Sequence, residues 1–206
     1  MLKIWGRKNS INVQKVLWCC GELGLDYERI DAGMEFGVNN TPEYLAMNPT
    51  GLVPTISDDG FILWESHAIV RYLARKHGQG TLWPADPRIA ASADRWMDWN
   101  NTTLWPLMRP VFWELVRVAP EKRNMAVVGD NTRKLAASLA IVDANLAANE
   151  YMAGDAFSMG DIPIALAAFR WFNLPIERAA LGNFEAWYRR ICERPVFRQH
   201  CMAPLT

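Results

Sequence analysis

Among 206 residues there are only four cysteines, and Cys19, Cys20, Cys192 and Cys201 form no C-x-x-C pair and have no His or Cys neighbour at zinc-ligand spacing. No resident metal is expected. A disulfide framework suits neither this length nor so few thiols, which points to a reducing compartment. The chain also lacks an apolar run of about 18 residues, the length needed to cross a bilayer. From Met1 to Trp5 it runs directly into the polar Arg7-Lys8-Asn9-Ser10, without the apolar stretch of a signal peptide. A cytoplasmic protein with no membrane partner is the expectation. Nor is there an excess of charge of either sign, since Lys+Arg and Asp+Glu each number 22. No overall field would therefore draw in nucleic acid or anionic lipid. Repeats and low-complexity tracts are absent as well.

What the sequence does contain is a change of pattern. Residues 1–77 alternate strand and helix. Leu2 to Trp5 is a β-prone run ended by Gly6. Val13, Val16, Leu17, Cys20 and Leu23 recur at helical spacing up to Gly24, which predicts an amphipathic helix. Tyr27 to Ile30 predicts a second strand, parallel to the first because a helix crosses between them. A loop over Gly33 to Asn40 leads to a short helix near Pro42–Met47. Val53 to Ser57 and Phe61 to Trp64 flank Asp58-Asp59-Gly60, a hairpin signal, and Glu65 to His77 is again helical. The order β-α-β-α-β-β-α joins a parallel unit to an antiparallel hairpin. It is not a doubly wound nucleotide fold, and no glycine-rich phosphate loop opens the first helix. Residues 78–88 predict a linker. From 89 to 206 the pattern is helical throughout: a long segment kinked near Pro106 and Pro110, a second over Met125–Ala148, and shorter ones over Asp161–Phe172 and Phe184–Glu193.

Three segments carry chemistry. Ser10 joins the first strand to the first helix, at the carboxyl end of a strand where ligands bind in open α/β sheets. The helix amino terminus favours an anion there, although a serine in this place also serves simply as an N-cap. In Asn48-Pro49-Thr50-Gly51-Leu52-Val53-Pro54, a cis Val–Pro bond would turn the Val53 N–H and C=O outward to pair with an extended peptide; a plain loop-to-strand turn is the alternative. Glu65-Ser66 opens a helix, where Ser66 either caps or presents its hydroxyl and N–H to a carboxylate while Glu65 receives an ammonium group.

In this order, Ser10-Ile11-Asn12-Val13, Asn48-Pro-Thr-Gly-Leu-Val53-Pro54, Trp64-Glu65-Ser66-His67-Ala68-Ile69 and Phe157-Ser158-Met159-Gly160-Asp161-Ile162 resemble the cytosolic glutathione transferases over essentially the whole chain. The likeness is strongest to bacterial members that use serine, threonine or asparagine rather than tyrosine. It implies a thioredoxin-like glutathione-binding domain (1–77), a linker (78–88) and an all-helical domain (89–206) that forms the electrophile pocket. It further implies that Ser10 and Asn12 face the glutathione sulfur, that Val53 before a cis Pro54 pairs with the cysteinyl backbone, and that Glu65 and Ser66 bind the γ-glutamyl end. Asn39 falls at a loop position that contacts the glycyl end, where relatives carry His or Gln. A homodimer is implied too. Thioredoxin relatives carry cysteines in the first loop; this chain has none there, which disfavours dithiol chemistry. Ser158 and Asp161 are expected to form a capping box, with Phe157 and Ile162 as its hydrophobic staple, and to serve folding only.

The expected reaction uses glutathione as co-substrate and a small electrophile as its partner, with no metal. Trp105, Arg109 and Trp113 recur four residues apart and could share a face of the pocket, although ordinary core packing explains a ring in a chain with ten tryptophans. Arg7 and Arg109 would attract an acidic or halogenated carboxylate substrate, unless they are simply surface arginines. Reduction of disulfides or peroxides, or isomerisation, would use the same thiolate. A non-catalytic scaffold of the same fold is the alternative of another class.

Overall fold

Strand β1 (Leu2–Trp5) lies inside a four-stranded sheet of order β2-β1-β3-β4, in a computed structural model that describes residues 1–206. It runs parallel to β2 (Tyr27–Ile30) and antiparallel to β3 (Thr55–Asp58), which pairs in turn with β4 (Phe61–Trp64). The β3–β4 hairpin turns through Asp59 and Gly60 at φ 49° and 93°, the two left-handed residues such a turn requires. Trp5 lies opposite Thr55, so the chain leaving β1 runs beside the chain entering β3. That register brings the Ser10 loop next to Val53-Pro54.

Helix α1 (Ile11–Glu22) returns from β1 to β2. Gly6 permits the tight exit from β1, because a Cβ there would come within 2.4 Å of the Val13 side chain. The expected amphipathic character of α1 is not what folding produces. Gln14, Lys15 and Trp18 are buried along with the apolar stripe. Helix α3 (Ser66–His77) covers one side of α1, and two helices of the second half cover the other. A short helix α2 (Pro42–Met47), capped by Thr41, follows a single turn at Met34–Phe36 inside the predicted loop.

The second half is helical: α4 (Pro87–Trp99), α5 (Trp105–Phe112), α6 (Met125–Leu146), α7 (Asp161–Asn173), α8 (Gly182–Glu193) and α9 (Pro195–Cys201). Asp86 caps α4 by accepting from the Arg88 N–H at 2.7 Å, so α4 already starts within the predicted linker. The long segment passes through two wide π turns, Asn100–Leu104 and Trp113–Arg117, on either side of α5, which holds Pro106 and Pro110. Helix α9 lies beyond the predicted Phe184–Glu193 segment, and Pro195 occupies its first turn, where the missing N–H costs nothing. A 44-residue core runs without interruption from Ile4 and Ile56 in the sheet to Trp187 and Phe197 in the last helices.

The Ser158–Asp161 box forms in altered shape. Gly160 takes the N-cap position of α7. The fully buried Asp161 carboxylate accepts from the Ser158 N–H at 2.9 Å, the Ser158 hydroxyl at 3.2 Å, the Met152 N–H at 2.9 Å and the Trp187 indole at 3.0 Å. Burial pushes its pKa up to about 6 despite these donors, which act to lower it. Phe157 rests against the Trp18 and Tyr151 rings.

Candidate active site

Ser10 occupies the N-cap position of α1 with an extended backbone, and its carbonyl accepts from the Gln14 N–H at 2.9 Å. Its hydroxyl makes no capping hydrogen bond, although the residue is only 8 % exposed. The N-cap alternative is therefore met in position but not in chemistry. A hydroxyl that lines the cavity is left free to donate beside the unpaired N–H groups of the first helical turn.

The opposite wall is held by side chains. Tyr44 and Asn48, each 1 % exposed, reach the Leu52 carbonyl at 2.6 and 2.9 Å and the Thr55 hydroxyl at 2.8 and 3.0 Å. The Asn48 side-chain oxygen accepts from the Thr50 N–H and hydroxyl. With its polar groups tied this way, the loop presents Val53, whose N–H and C=O make no backbone–backbone hydrogen bond; the Val53–Pro54 peptide is cis. Glu65, rather than Ser66, holds the N-cap position of α3, at φ 71°. A left-handed non-glycine residue costs on the order of 1–3 kcal/mol, and such strain concentrates at binding sites. Its effect is to put Ser66 in the first turn of α3, with the exposed Glu65 immediately before it.

Two hollows meet along these walls. A narrow slot of about 30 Å³ is lined by Val53, Pro54, Trp64, Glu65 and Ser66, and a cavity of about 170 Å³ is lined by Ser10, Met34 and residues of α5 and its flanking turns. Asn12 lines both. Its side-chain oxygen accepts from Lys15 Nζ at 3.0 Å and from the Ser66 hydroxyl at 3.4 Å, which links the Glu65–Ser66 end to the Ser10 end.

The cavity wall is aromatic and cationic. Trp105, Arg109 and Trp113 all line it, and the core-packing alternative fails for Trp113, which is 50 % exposed. Arg7, Arg117 and Arg170 line it as well, and none of the four arginines forms an ion pair. Arg170, on α7, is 3 % exposed, and its guanidinium lies over the Phe112 and Trp105 rings at 5.3 and 6.0 Å. Burial brings its pKa down to about 10, so it stays charged at neutral pH. Burial and the neighbouring Arg117 lower Arg7, opposed by Glu35.

Asn39 is not brought to either hollow. Its amide is committed to the Gly51 carbonyl at 2.6 Å, where it braces the loop. The cysteines lie elsewhere too: Cys19, Cys20 and Cys201 are buried free thiols whose pKa burial raises, that of Cys20 to about 12. No group of His, Cys, Asp and Glu side chains suited to a metal forms, and no helix is long and apolar enough to cross a membrane. Sequence reading missed Lys15, Arg117 and Arg170. Arg117 continues the four-residue series 105, 109, 113, and Arg170 interrupts an apolar run; either signal could have found them.

Comparison with known proteins gives the family of this fold. The model of the glutathione S-transferase N-terminal domain matches residues 1–75, and that of the C-terminal domain matches residues 104–195. The chain is 45% identical to glutathione S-transferase GstB of Escherichia coli K12 over all of both chains, and 36% identical to glutathione S-transferase 3 of Zea mays over 96% of this chain and 92% of the other. The theta class glutathione S-transferase of Xanthomonas axonopodis pv. citri, solved with glutathione bound, superposes with a TM-score of 0.95 at 44% identity, covering 100% of this chain and 99% of that one.

Proposed function

Because the chain belongs to the glutathione S-transferase family, we propose that Ser10 and Asn12 hold the sulfur of bound glutathione as a thiolate for attack on small electrophiles that carry an anionic group. The tripeptide lies along the slot, with its cysteinyl backbone on Val53 and its γ-glutamyl end at Glu65 and Ser66. Its sulfur then reaches Asn12, where slot and cavity join. The observation that carries this reading is the Ser10 hydroxyl at the cavity wall, which the helix leaves unused.

The energetics suffice. A free thiol with a pKa of about 8.5 is only about 3% ionised at neutral pH. Lowering it by about two units takes roughly 2.7 kcal/mol. One hydrogen bond to a charged acceptor supplies about 1.5–3 kcal/mol, and the helix terminus adds about 0.3–1. Ser10 need only donate; the thiol proton leaves to solvent. The thiolate then forms the carbon–sulfur bond as the electrophile's leaving group departs with its electron pair. Unpaired guanidinium groups at Arg7, Arg109 and Arg117 hold the anionic part of the electrophile, and Arg170 fixes the Trp105 and Phe112 rings beneath it. A homodimer in the cytoplasm belongs to the same reading.

In Ser10→Ala, the ultraviolet thiolate absorbance of bound glutathione and the turnover at pH 7 should both fall roughly four- to twenty-five-fold, the equivalent of one charged hydrogen bond, with glutathione affinity changed far less. Unchanged turnover would refute the role given to Ser10.

A further inference from the structure

Lys15 is 3 % exposed, on a helix whose other buried residues are mostly apolar. An ammonium out of water is costly, and buried charges are ordinarily paired. Lys15 has no ion-pair partner. The charged and titratable groups that act on it come from three sides: Glu65 before α3, His67 on α3 and Arg170 on α7. Burial holds the His67 pKa down to about 2, so that ring is neutral. The one hydrogen bond of Lys15 runs to the Asn12 side-chain oxygen, one turn back, and the Ser66 hydroxyl donates to that same oxygen. The fold bears the cost of burying this lysine and receives only one hydrogen bond in return.

We propose that Lys15 is a positioning residue for the thiolate: it fixes the Asn12 amide with its N–H donors toward the sulfur and places a positive charge behind them. This rests on the reading that Asn12 meets the sulfur. An ammonium has three donors and no acceptor, so a charged Lys15 dictates which end of the amide faces it. A neutral amine has a lone pair, would accept from the amide N–H and would let the group turn over. Orientation at the sulfur therefore depends on the charge of Lys15. Burial, with Arg170 in support and Glu65 opposing, lowers that lysine to about 7. A thiolate on the far side of Asn12 raises it again, and by linkage Lys15 lowers the thiol by the same amount.

The test is a spectroscopic titration of the glutathione thiol bound to wild type, Lys15→Met, Lys15→Arg and Asn12→Ala. Lys15→Met should raise the apparent thiol pKa by about one unit and reduce kcat at pH 7 roughly tenfold, with the glutathione KM within about threefold. Lys15→Arg should restore most of the loss. Adding Lys15→Met to Asn12→Ala should do little more, because the two act as one unit. A raised thiol pKa in Asn12→Ala with none in Lys15→Met overturns the role of Lys15 and spares the site; no change in either overturns both. Should Lys15→Met not fold, wild type labelled at lysine Cε is titrated by carbon NMR. Glutathione should then raise the pKa of the lysine that titrates near neutrality by about one unit, and an unmoved titration overturns the proposal.

Discussion

Ser10 precedes α1 and Ser158 precedes α7, and both are shut away from solvent, at 8 % and 1 % exposure. Ser158 lies in a closed circuit, in which its hydroxyl and N–H both go to Asp161, a carboxylate that also serves Met152 and Trp187. Ser10 lies in an open one, with its hydroxyl unspent and a cavity in front of it. Local sequence looks alike in the two places, a serine followed by a helix. The difference is what the surroundings leave for the side chain to do: a site built for folding satisfies its own polar groups, and a site built for a ligand withholds them.

Breaking the closed circuit should produce the largest effect. Asp161→Ala strands four donors at once, and since hydrogen bonds to a charged group contribute about 1.5–3 kcal/mol each and do not add, urea unfolding should show a loss of about 4 kcal/mol. Ser10→Ala should move the same transition by less than about 1 kcal/mol. The second contrast is one of pH. The folded Asp161 carboxyl holds its proton up to about 6, above the ordinary aspartate value of 3.8. Its contribution to stability is thus fully present below the lower value and is lost as pH rises through the higher one. The stability difference between wild type and Asp161→Asn should accordingly shrink, on the order of 2 kcal/mol, from pH 4 to pH 7, while that between wild type and Ser10→Ala stays flat.

A third test sharpens the open side. Arg117→Ala should raise KM about tenfold for an electrophile bearing a carboxylate and leave a neutral aryl halide within about twofold, a difference near 1.4 kcal/mol; equal effects on both would show that the guanidinium only shapes the wall. The smallest effect is expected at Asn39. Because its amide is engaged with the Gly51 carbonyl, Asn39→Ala should cost about 1 kcal/mol of stability and change glutathione KM less than about threefold; a larger KM effect would restore the glycyl contact the resemblance implied.

How much could be read beforehand follows from the same contrast. Ser10, Asn12, Val53, Glu65 and Ser66 come together because each stands at the end of a strand or the start of a helix, and strand and helix limits are marked by local signals. Lys15 was invisible for the opposite reason. It lies inside a helix whose apolar period predicted one wet face, and it is buried because helices from both halves of the chain pack around α1. Arg170 is hidden in the same way within α7, where almost every side chain from Asp161 to Trp171 is covered. Arg117 continues the spacing of Trp105, Arg109 and Trp113 and is legible from it. Asn39 differs in another way: its amide donates to the neighbouring Gly51 carbonyl, a contact across a loop that no local signal marks. Likewise Ser66 was read as a possible cap, while the strained Glu65 holds that place.

Helix α1 has a consequence for how the molecule melts. It lies against α3 on one side and against α7 and α9 on the other, and Arg194 grips Glu22 at its end with two hydrogen bonds of 2.8 and 2.6 Å. A beam built into two floors cannot sag on one of them alone. Cooperativity therefore passes through the very helix that Ser10 precedes, so that a loosening in either half of the chain is felt in the other through α1.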